Sequence, residues 1–264
     1  MTRPAESNGR LPVVVLVSGG GTNLQALIDA QGDACPFAVA AVISNRPQAR
    51  GLQRAQSAGI ATQVIDHTDY PDRDSFDRAL GEAIEARRPG LVVLAGFMRI
   101  LTDAFVDRFA GHMVNIHPSL LPAFQGLHTH RRALEAGVDR HGASVHFVTG
   151  ELDGGPVIAQ AAVHVARDDN PDTLAARVLA REHELLPQVV RWFAAGELAL
   201  DGEQVRVLAE ALDLATARSG TSCSSAASNA LPNSSASSLV LVYRCGWNTT
   251  HSRASGSACL SASI

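Results

Sequence analysis

Asn115 and His117 follow an apolar run and stand two positions apart in the segment Asn115-Ile-His-Pro-Ser-Leu-Leu-Pro122. Residues two apart on an extended strand project to the same side, and Pro118 restricts His117 to an extended backbone. An amide and an imidazole that converge on one point suit the stabilisation of a developing oxyanion. The alternative is a pair of buried polar residues with satisfied hydrogen bonds, and this segment alone does not decide between the two.

Asp153 lies in the glycine-rich segment Glu151-Leu-Asp-Gly-Gly-Pro156, after another predicted strand. A carboxylate beside His117 would raise the pKa of the imidazole and keep the imidazolium populated near neutral pH. We therefore hypothesise a pair between His117 and Asp153. An ordinary Asp-Gly turn is the simpler alternative.

The segment Ser18-Gly-Gly-Gly-Thr-Asn23 lies between a predicted strand and a predicted helix. Unpaired amides and the dipole at a helix start favour an anion. No Gly-Lys-Ser/Thr follows, Leu24 occupies the last position of G-x-G-x-x-G, and Asn45 rather than an acidic residue follows the second strand. The loop therefore predicts a site for one phosphate, with a tight turn that binds nothing as the alternative.

Three further histidines, His128, His130 and His146, raise the question of a metal. No cysteine or carboxylate stands near them at metal-ligand spacing, so we predict structural or substrate-orienting histidines and no metal. The sequence also lacks a G-x-S-x-G elbow or a Cys/His pairing that would indicate a covalent acyl-enzyme.

The elements that position these residues are short apolar runs that alternate with amphipathic helical patterns. Predicted strands cover 13–17, 39–43, 62–65, 91–95 and 113–116, with helices over 23–28, 49–58 (ended by Gly59) and 72–87. Longer strands over 143–148 and 157–165, expected to be antiparallel, precede a helix over 171–195. This order predicts an α/β fold with a mostly parallel sheet, helices on both faces and an antiparallel extension. Ligands are expected at the loops after Val17, Ala95, Ile116 and Val148.

Composition narrows the class of protein. The 264 residues are 46% hydrophobic, which suffices for one large domain or two small ones. The net charge of −4 with scattered basic residues gives no reason to expect nucleic acid or a membrane as partner. The start of the chain is polar and the apolar run 13–17 is too short for a signal sequence or a membrane span, so a cytoplasmic protein is expected.

The chain changes character after about Glu210, where serine, alanine, threonine and asparagine dominate without an apolar period. We predict that 12–208 form the catalytic domain and that 209–264 are a low-complexity, disordered tail. Three of the four cysteines, Cys223, Cys245 and Cys259, lie in this tail. No cysteine pair has zinc or redox spacing, so neither a disulfide framework nor a structural metal is expected.

Taken together, the motifs closely resemble the glycinamide ribonucleotide formyltransferase family, folate-dependent enzymes of purine synthesis. The matching segments stand in the family's order within 12–208: Val14-Val-Leu-Val-Ser-Gly-Gly-Gly-Thr-Asn-Leu-Gln-Ala26, Leu94-Ala-Gly-Phe-Met-Arg-Ile-Leu101, Asn115 to Pro122, Gly126-Leu-His-Thr-His130, Ser144-Val-His-Phe-Val148 and Glu151-Leu-Asp-Gly-Gly-Pro-Val-Ile158. The resemblance implies a Rossmann-like formyltransferase fold and formyl transfer from 10-formyltetrahydrofolate, a cosubstrate, to the amine of glycinamide ribonucleotide.

The resemblance also implies residue roles. The catalytic trio is Asn115, His117 and Asp153. Ribonucleotide contacts are implied for Gly21, Thr22, Asn23 and Glu182. Folate contacts are implied for Arg73, Met98, Arg99, Ile100, Leu101, Asn115, Thr149, Gly150, Glu151, Leu152 and Asp153. Many relatives carry a basic residue at the position of Ala123 and proline at that of Gln125, and these departures leave the trio intact.

Three alternatives remain on sequence alone. A formyltetrahydrofolate hydrolase would use water as acceptor, and a methionyl-tRNA formyltransferase would carry a basic carboxyl-terminal RNA-binding domain. A Rossmann-like module that binds a nucleotide without catalysis would explain the glycine loop but not the trio. Small molecules are the expected partners, and the expected state is a monomer or a homodimer.

Overall fold

A computed structural model describes residues 9–201 and 204–208. Its centre is a seven-stranded sheet in the order β3-β2-β1-β4-β5-β6-β7. The strands are β1 (Leu11–Val17), β2 (Phe37–Ser44), β3 (Ala61–Val64), β4 (Leu91–Leu94), β5 (Met113–His117), β6 (Arg140–Phe147) and β7 (Val157–His164). The first five strands pair in parallel. Strand β6 pairs antiparallel with β5, and β7 pairs antiparallel with β6. The predicted mostly parallel sheet with an antiparallel extension is therefore confirmed.

Helices cover both faces of the sheet. They are α1 (Thr22–Asp29), α2 (Arg50–Ser57), α3 (Arg73–Glu85), α4 (Asp103–Arg108), α5 (Thr129–Glu135) and α6 (Pro171–Ala195). The central strand β1 shows why its sequence is apolar throughout: Val13, Val15 and Val17 pack with α1 and α6, whereas Val14 and Leu16 pack with α3 and α4. A strand buried on both faces has no position for a polar side chain.

The long helix α6 has strong local signals at both ends. The Asn170 side chain accepts from the backbone of Asp172 and Thr173 in a capping box, and Pro171 occupies the first turn. Gly196 ends the helix with a left-handed φ of 73°. These signals explain why the predicted span of 171–195 agrees with the structure.

No bounds were predicted for the smaller elements. They are α4, α5 and a hairpin of β8 (Leu198–Asp201) with β9 (Gln204–Val207). The helices have six and seven residues, too few for a clear apolar period. The predicted tail 209–264 lies outside the described residues.

The path of the loop after β6 corrects one expectation. This loop was expected at the carboxyl ends of the parallel strands, but β6 runs against β5, so Phe147 lies opposite Val114, near the start of β5. The backbone N–H of Val148 donates to the Met113 carbonyl at 2.9 Å. Asp153 consequently reaches Asn115 and His117 over a face of the sheet.

Candidate functional site

The side chains of Asn115, His117 and Asp153 meet as predicted. Asp153 Oδ2 lies 3.4 Å from His117 Nδ1, and Asp153 Oδ1 accepts from Asn115 Nδ2 at 3.4 Å. The backbone N–H of Gly126 donates to Asp153 Oδ2 at 2.9 Å. The two residues of β5 project to the same side of the strand, which is why one carboxylate reaches both.

Both ring nitrogens of His117 face hydrogen-bond acceptors. Nδ1 faces the Asp153 carboxylate, and Nε2 lies 3.1 Å from the carbonyl oxygen of Phe124. An imidazole has two N–H donors only when it is charged, so these partners favour the imidazolium. Burial has the opposite effect, because His117 is only 6% exposed.

A raised His117 pKa was expected, but the net effect of burial and hydrogen bonding is a lowered one. Burial lowers the pKa below its ordinary value, and the Phe124 carbonyl and the Asp153 carboxylate offset only part of this effect. Asp153 does raise the pKa of the imidazole, as predicted, but its contribution does not exceed that of desolvation. Burial also acts to raise the pKa of Asp153, yet the neighbouring His146 side chain, the hydrogen bond from the Gly126 N–H and the nearby His117 outweigh it and leave that pKa below its usual range.

His146 is a fourth member of this cluster that the sequence did not assign to it. Its Nε2 lies 3.1 Å from Asn115 Nδ2 and 3.7 Å from Asp153 Oδ1. Its Nδ1 lies 2.9 Å from the Phe147 carbonyl, which makes Nδ1 the donor and Nε2 the acceptor of the Asn115 amide. These contacts place His146 beside Asn115, and the signal for its place was the register: His146 is the cross-strand partner of Asn115.

A buried polar network fixes the loop after β5. Ser144 Oγ donates to the Ser119 carbonyl at 2.6 Å and accepts from the Leu121 N–H at 3.0 Å. Gln160 Nε2 donates to the Leu121 carbonyl at 2.9 Å. The loop backbone thus has side-chain partners inside the protein, and it holds the Phe124 carbonyl against His117.

Gln125, where many relatives carry proline, makes structural contacts with the Asp153 loop. Gln125 Nε2 donates to the backbone carbonyl of Asp153 at 3.2 Å, next to the bond from the Gly126 N–H. Arg132 donates to the Gln125 carbonyl at 2.6 Å, and its guanidinium lies 5.7 Å from the centre of the Phe124 ring. No contact among the described residues explains why alanine replaces a basic residue at position 123.

The glycine loop opens α1 as predicted. Gly21 precedes the helix with φ of 68°, and a Cβ there would lie 2.5 Å from the Cα of Gly51. Gly19 and Gly20 have nothing within 4 Å of a Cβ position, so their surface is open. Gly21 therefore sets the shape of the turn, and its neighbours leave room for a ligand beside the helix start.

Glu182 lies beside this loop although it is 159 residues from Asn23 in the chain. Asn23 Nδ2 donates to Glu182 Oε2 at 2.6 Å, and both side chains are buried. Burial raises the pKa of the Glu182 carboxyl, and the bond from Asn23 offsets part of that rise. Asn23 Oδ1 is buried with no partner among the described residues, so the pair retains unused hydrogen-bonding capacity.

The segments predicted to bind folate carry exposed apolar side chains. Met98, Ile100 and Leu152 are more than half exposed, and Leu127 on a neighbouring loop is 62% exposed. The segments 98–101 and 149–153 approach each other at α4, where a Cβ on Gly150 would lie 2.7 Å from Asp103 Oδ1. Exposed apolar groups gathered on adjacent loops are typical of a ligand-binding groove.

Two arginines were predicted to take part in folate binding. The Arg99 guanidinium lies 5.6 Å from the centre of the Phe76 ring on α3, a cation–π distance. Arg73 is exposed at the first residue of α3, one turn before Phe76. The structure brings Arg99 into contact with α3, and it gives Arg73 no contact with the trio.

The other histidines of the sequence motifs do not converge on a metal site among the described residues. His128 is exposed and precedes α5, whereas His130 Nδ1 and His141 Nε2 lie 3.2 Å apart. Burial and the neighbouring His130 lower the pKa of His141 to about 4. In the part of the chain that the structure describes, no three His, Cys, Asp or Glu side chains are grouped to hold a metal ion. Within the same residues, no helix has the length and apolar character needed to cross a bilayer.

Comparisons with known proteins agree with this geometry. Residues 11–190 match the model of the formyl transferase family. Phosphoribosylglycinamide formyltransferase from Escherichia coli is 53% identical over 189 residues, which are 71% of this chain and 89% of that protein. The trifunctional purine biosynthetic protein adenosine-3 from Bos taurus is 46% identical over 196 residues, 74% of this chain and 19% of that protein.

A solved structure shows the same likeness in three dimensions. Phosphoribosylglycinamide formyltransferase from Coxiella burnetii superposes with a TM-score of 0.73 at 52% sequence identity, covering 75% of this chain and 93% of that one. The similarity therefore covers the sheet, the helices and the loops that carry the clustered side chains.

The first prediction concerns the glycine loop. Gly21→Ala should unfold at a lower temperature than the parent, because its Cβ meets the Gly51 backbone and alanine disfavours the positive φ. Gly20→Ala, whose Cβ points into open space, should unfold like the parent. Equal melting temperatures for the two variants would contradict this account of the turn.

The second prediction concerns stability in acid. Between pH 6.5 and about 4, the unfolded chain protonates the His141 imidazole and the folded protein does not. The free energy of unfolding should therefore fall as the pH falls through this window, by on the order of 3 kcal/mol from this group. Denaturant titrations should show a flatter pH dependence for His141→Gln and a parental one for His112→Gln at an exposed site. Parallel curves for the parent and His141→Gln would contradict the assignment.

Proposed function

The chain belongs to the formyl transferase family, and on that premise we propose that it transfers the formyl group of 10-formyltetrahydrofolate to the amine of glycinamide ribonucleotide in purine synthesis. The single observation that carries this proposal is the junction of His117 and Asn115 at one buried carboxylate, Asp153. We assign the catalytic domain to 12–208. Small-molecule substrates without nucleic acid or membrane, a cytoplasmic location and a monomeric or homodimeric state remain predictions.

The acceptor site in this proposal is the amino-terminal start of α1. The ribonucleotide phosphate would bind the backbone amides of Gly21, Thr22 and Asn23, where the helix dipole favours negative charge. The glycinamide end would contact Glu182, which is held by Asn23 at 2.6 Å. The bond between Asn23 and Glu182 supports this role, because it holds a carboxylate that can accept from an amine beside the amides that would bind the phosphate.

The donor site in this proposal is the groove between 98–101 and 149–153. Their exposed apolar side chains would cover the flat pterin ring, and their backbone groups would hydrogen-bond its edge. Arg99 and the exposed Arg73 are the cations available for the anionic end of a folate. The apolar exposure supports the placement of the donor here.

The reaction would proceed by direct transfer. The neutral amine attacks the formyl carbon, a new C–N bond forms, and the carbonyl oxygen takes the electron pair as a tetrahedral oxyanion. Collapse then breaks the bond to the folate nitrogen, which receives a proton as the amine loses one. Asp153, which lies 3.4 Å from His117 Nδ1 and 3.4 Å from Asn115 Nδ2, would assist that proton transfer through a bound water.

His117 and Asn115 would stabilise the oxyanion, and each must exchange a present contact to do so. His117 Nε2 would leave the Phe124 carbonyl, and Asn115 Nδ2 would give up its long 3.4 Å contact with Asp153 while it keeps His146. Negative charge on the formyl oxygen would raise the His117 pKa and so compensate the effect of burial. Fixing two substrates face to face would supply a further part of the acceleration, on the order of 7 to 11 kcal/mol in favourable cases.

An assay with two arms tests the proposed function. The protein is incubated with 10-formyltetrahydrofolate, with and without glycinamide ribonucleotide, and deformylated folate is followed by absorbance. Deformylation that requires the ribonucleotide is the expected result. Equal rates in both arms would indicate a hydrolase, and no deformylation in either arm would contradict a formyltransferase.

The third prediction tests the role of His117. His117→Ala should lower kcat by about 100- to 1000-fold, the usual cost of losing one oxyanion donor. The KM for the ribonucleotide should stay within a few-fold, because the phosphate loop is unchanged. His112→Ala, at an exposed surface, serves as the control with parental kinetics. A kcat close to that of the parent in His117→Ala would refute the assigned role.

The fourth prediction tests Glu182. Glu182→Gln should raise the KM for glycinamide ribonucleotide by roughly tenfold or more, since hydrogen bonds to charged groups contribute about 1.5 to 3 kcal/mol. The KM for the folate should not change. Glu184→Gln, on the same helix but exposed, should leave both KM values at parental levels. A rise confined to the folate KM would show that Glu182 is misassigned.

A further inference from the structure

Ser18, the last residue before the glycine loop, is bonded to the segment predicted to bind folate. Its Oγ accepts from the Met98 N–H at 2.8 Å, and its own N–H donates to the Gly96 carbonyl at 3.1 Å. Ser18 is 4% exposed, so water does not compete for these bonds. Ser18 therefore directly precedes the glycine loop and is hydrogen-bonded to the first residue of the 98–101 segment.

Asn45 completes this contact. Ser18 Oγ donates to Asn45 Oδ1 at 2.6 Å, and Asn45 is 1% exposed at the end of β2. The Asn45 carbonyl lies 3.0 Å from His67 Nδ1, which fixes the backbone there. Dinucleotide-binding proteins place an acidic residue after the second strand to contact a ribose. Here the side chain points inwards and orients the Ser18 hydroxyl, so that its lone pairs face Met98.

The far end of the same segment is held differently. Asp77 on α3 is 3% exposed, and its Oδ2 accepts from the Thr102 N–H at 2.7 Å. None of the described bonds of Asp77 reaches the glycine loop. The backbone of this segment is thus bonded to a buried side-chain oxygen near each end, Ser18 Oγ and Asp77 Oδ2. Of these two residues, Ser18 is the one that adjoins the glycine loop.

We propose that Ser18, oriented by Asn45, is a positioning residue that couples the two substrate sites, so that ribonucleotide bound at the glycine loop strengthens folate binding at the 98–101 segment. The inference rests on the proposed function and adds the residue through which its two sites communicate. A ligand on the amides of 21–23 restrains the glycine loop, which Ser18 directly precedes. That restraint passes through the Ser18 hydroxyl to Met98 and lowers the entropy cost of ordering the folate segment.

The test is calorimetric titration with tetrahydrofolate, the deformylated product, with and without saturating glycinamide ribonucleotide. No reaction occurs in this pair, so the ratio of the two Kd values measures coupling alone. The parent should bind tetrahydrofolate about 5-fold or more tightly when the ribonucleotide is present. In Ser18→Ala the ratio should fall to near 1.

Asp77→Ala is the matched control, because it also removes one buried bond to a backbone N–H of this segment. It should weaken tetrahydrofolate binding in both titrations and keep the parental ratio. A parental ratio in Ser18→Ala, a ratio of 1 in the parent, or an equal loss of coupling in both variants would each overturn the inference. If Ser18→Ala lacks a cooperative thermal transition, Ser18→Cys takes its place, because a thiol keeps the shape but its sulfur accepts only weakly from the Met98 N–H.

The outcomes separate this inference from the proposed function. Tight binding of both ligands to the parent without coupling would contradict the inference alone. Failure of the parent to bind either ligand would contradict the proposed function and the inference with it.

Discussion

The buried carboxylate of Asp153 is the interaction on which the site depends. A carboxylate whose side chain is only 9% exposed requires partners, and it finds them in the Gly126 N–H, the Asn115 amide and the His117 imidazole, with His146 beside the Asn115 amide. Because these groups come from three segments of the chain, satisfying one charge brings them to one point. The same contacts set the opposing influences on the His117 pKa, which burial lowers and the carboxylate raises.

The fold delivers these segments in a specific way. Parallel strands β1, β4 and β5 place the glycine loop, the 98–101 segment and the loop after His117 near one edge of the sheet. The reversal at β6 sends 148–156 from the other end, so that Asp153 crosses the face of the sheet to reach β5. Buried hydrogen bonds from Ser18, Ser144 and Asp77 then hold the loops that the strands alone would leave free. The two proposed substrate sites therefore lie on the same sheet and are joined by the Ser18 bond to Met98.

Much of this arrangement could be predicted from local patterns, and the exceptions have physical reasons. Continuous apolar runs and helix ends such as Asn170 and Gly196 are local, so the strands, α6 and the spacing of Asn115 and His117 were predictable. The pairing of His146 with Asn115 depends on strand register, which no local pattern encodes. The net pKa of His117 depends on burial, and the bond between Ser18 and Met98 spans 80 residues. Such properties arise only when the whole sheet has formed.

The most direct test of the central claim is the pKa of the His117 imidazole, measured by NMR titration in the parent and in Asp153→Asn. The variant keeps the size and burial of the side chain but removes its charge. A lower His117 pKa is expected in the variant, because burial then acts without the opposing carboxylate. An unchanged His117 pKa would show that Asp153 does not sustain the charged imidazole, and would contradict the account.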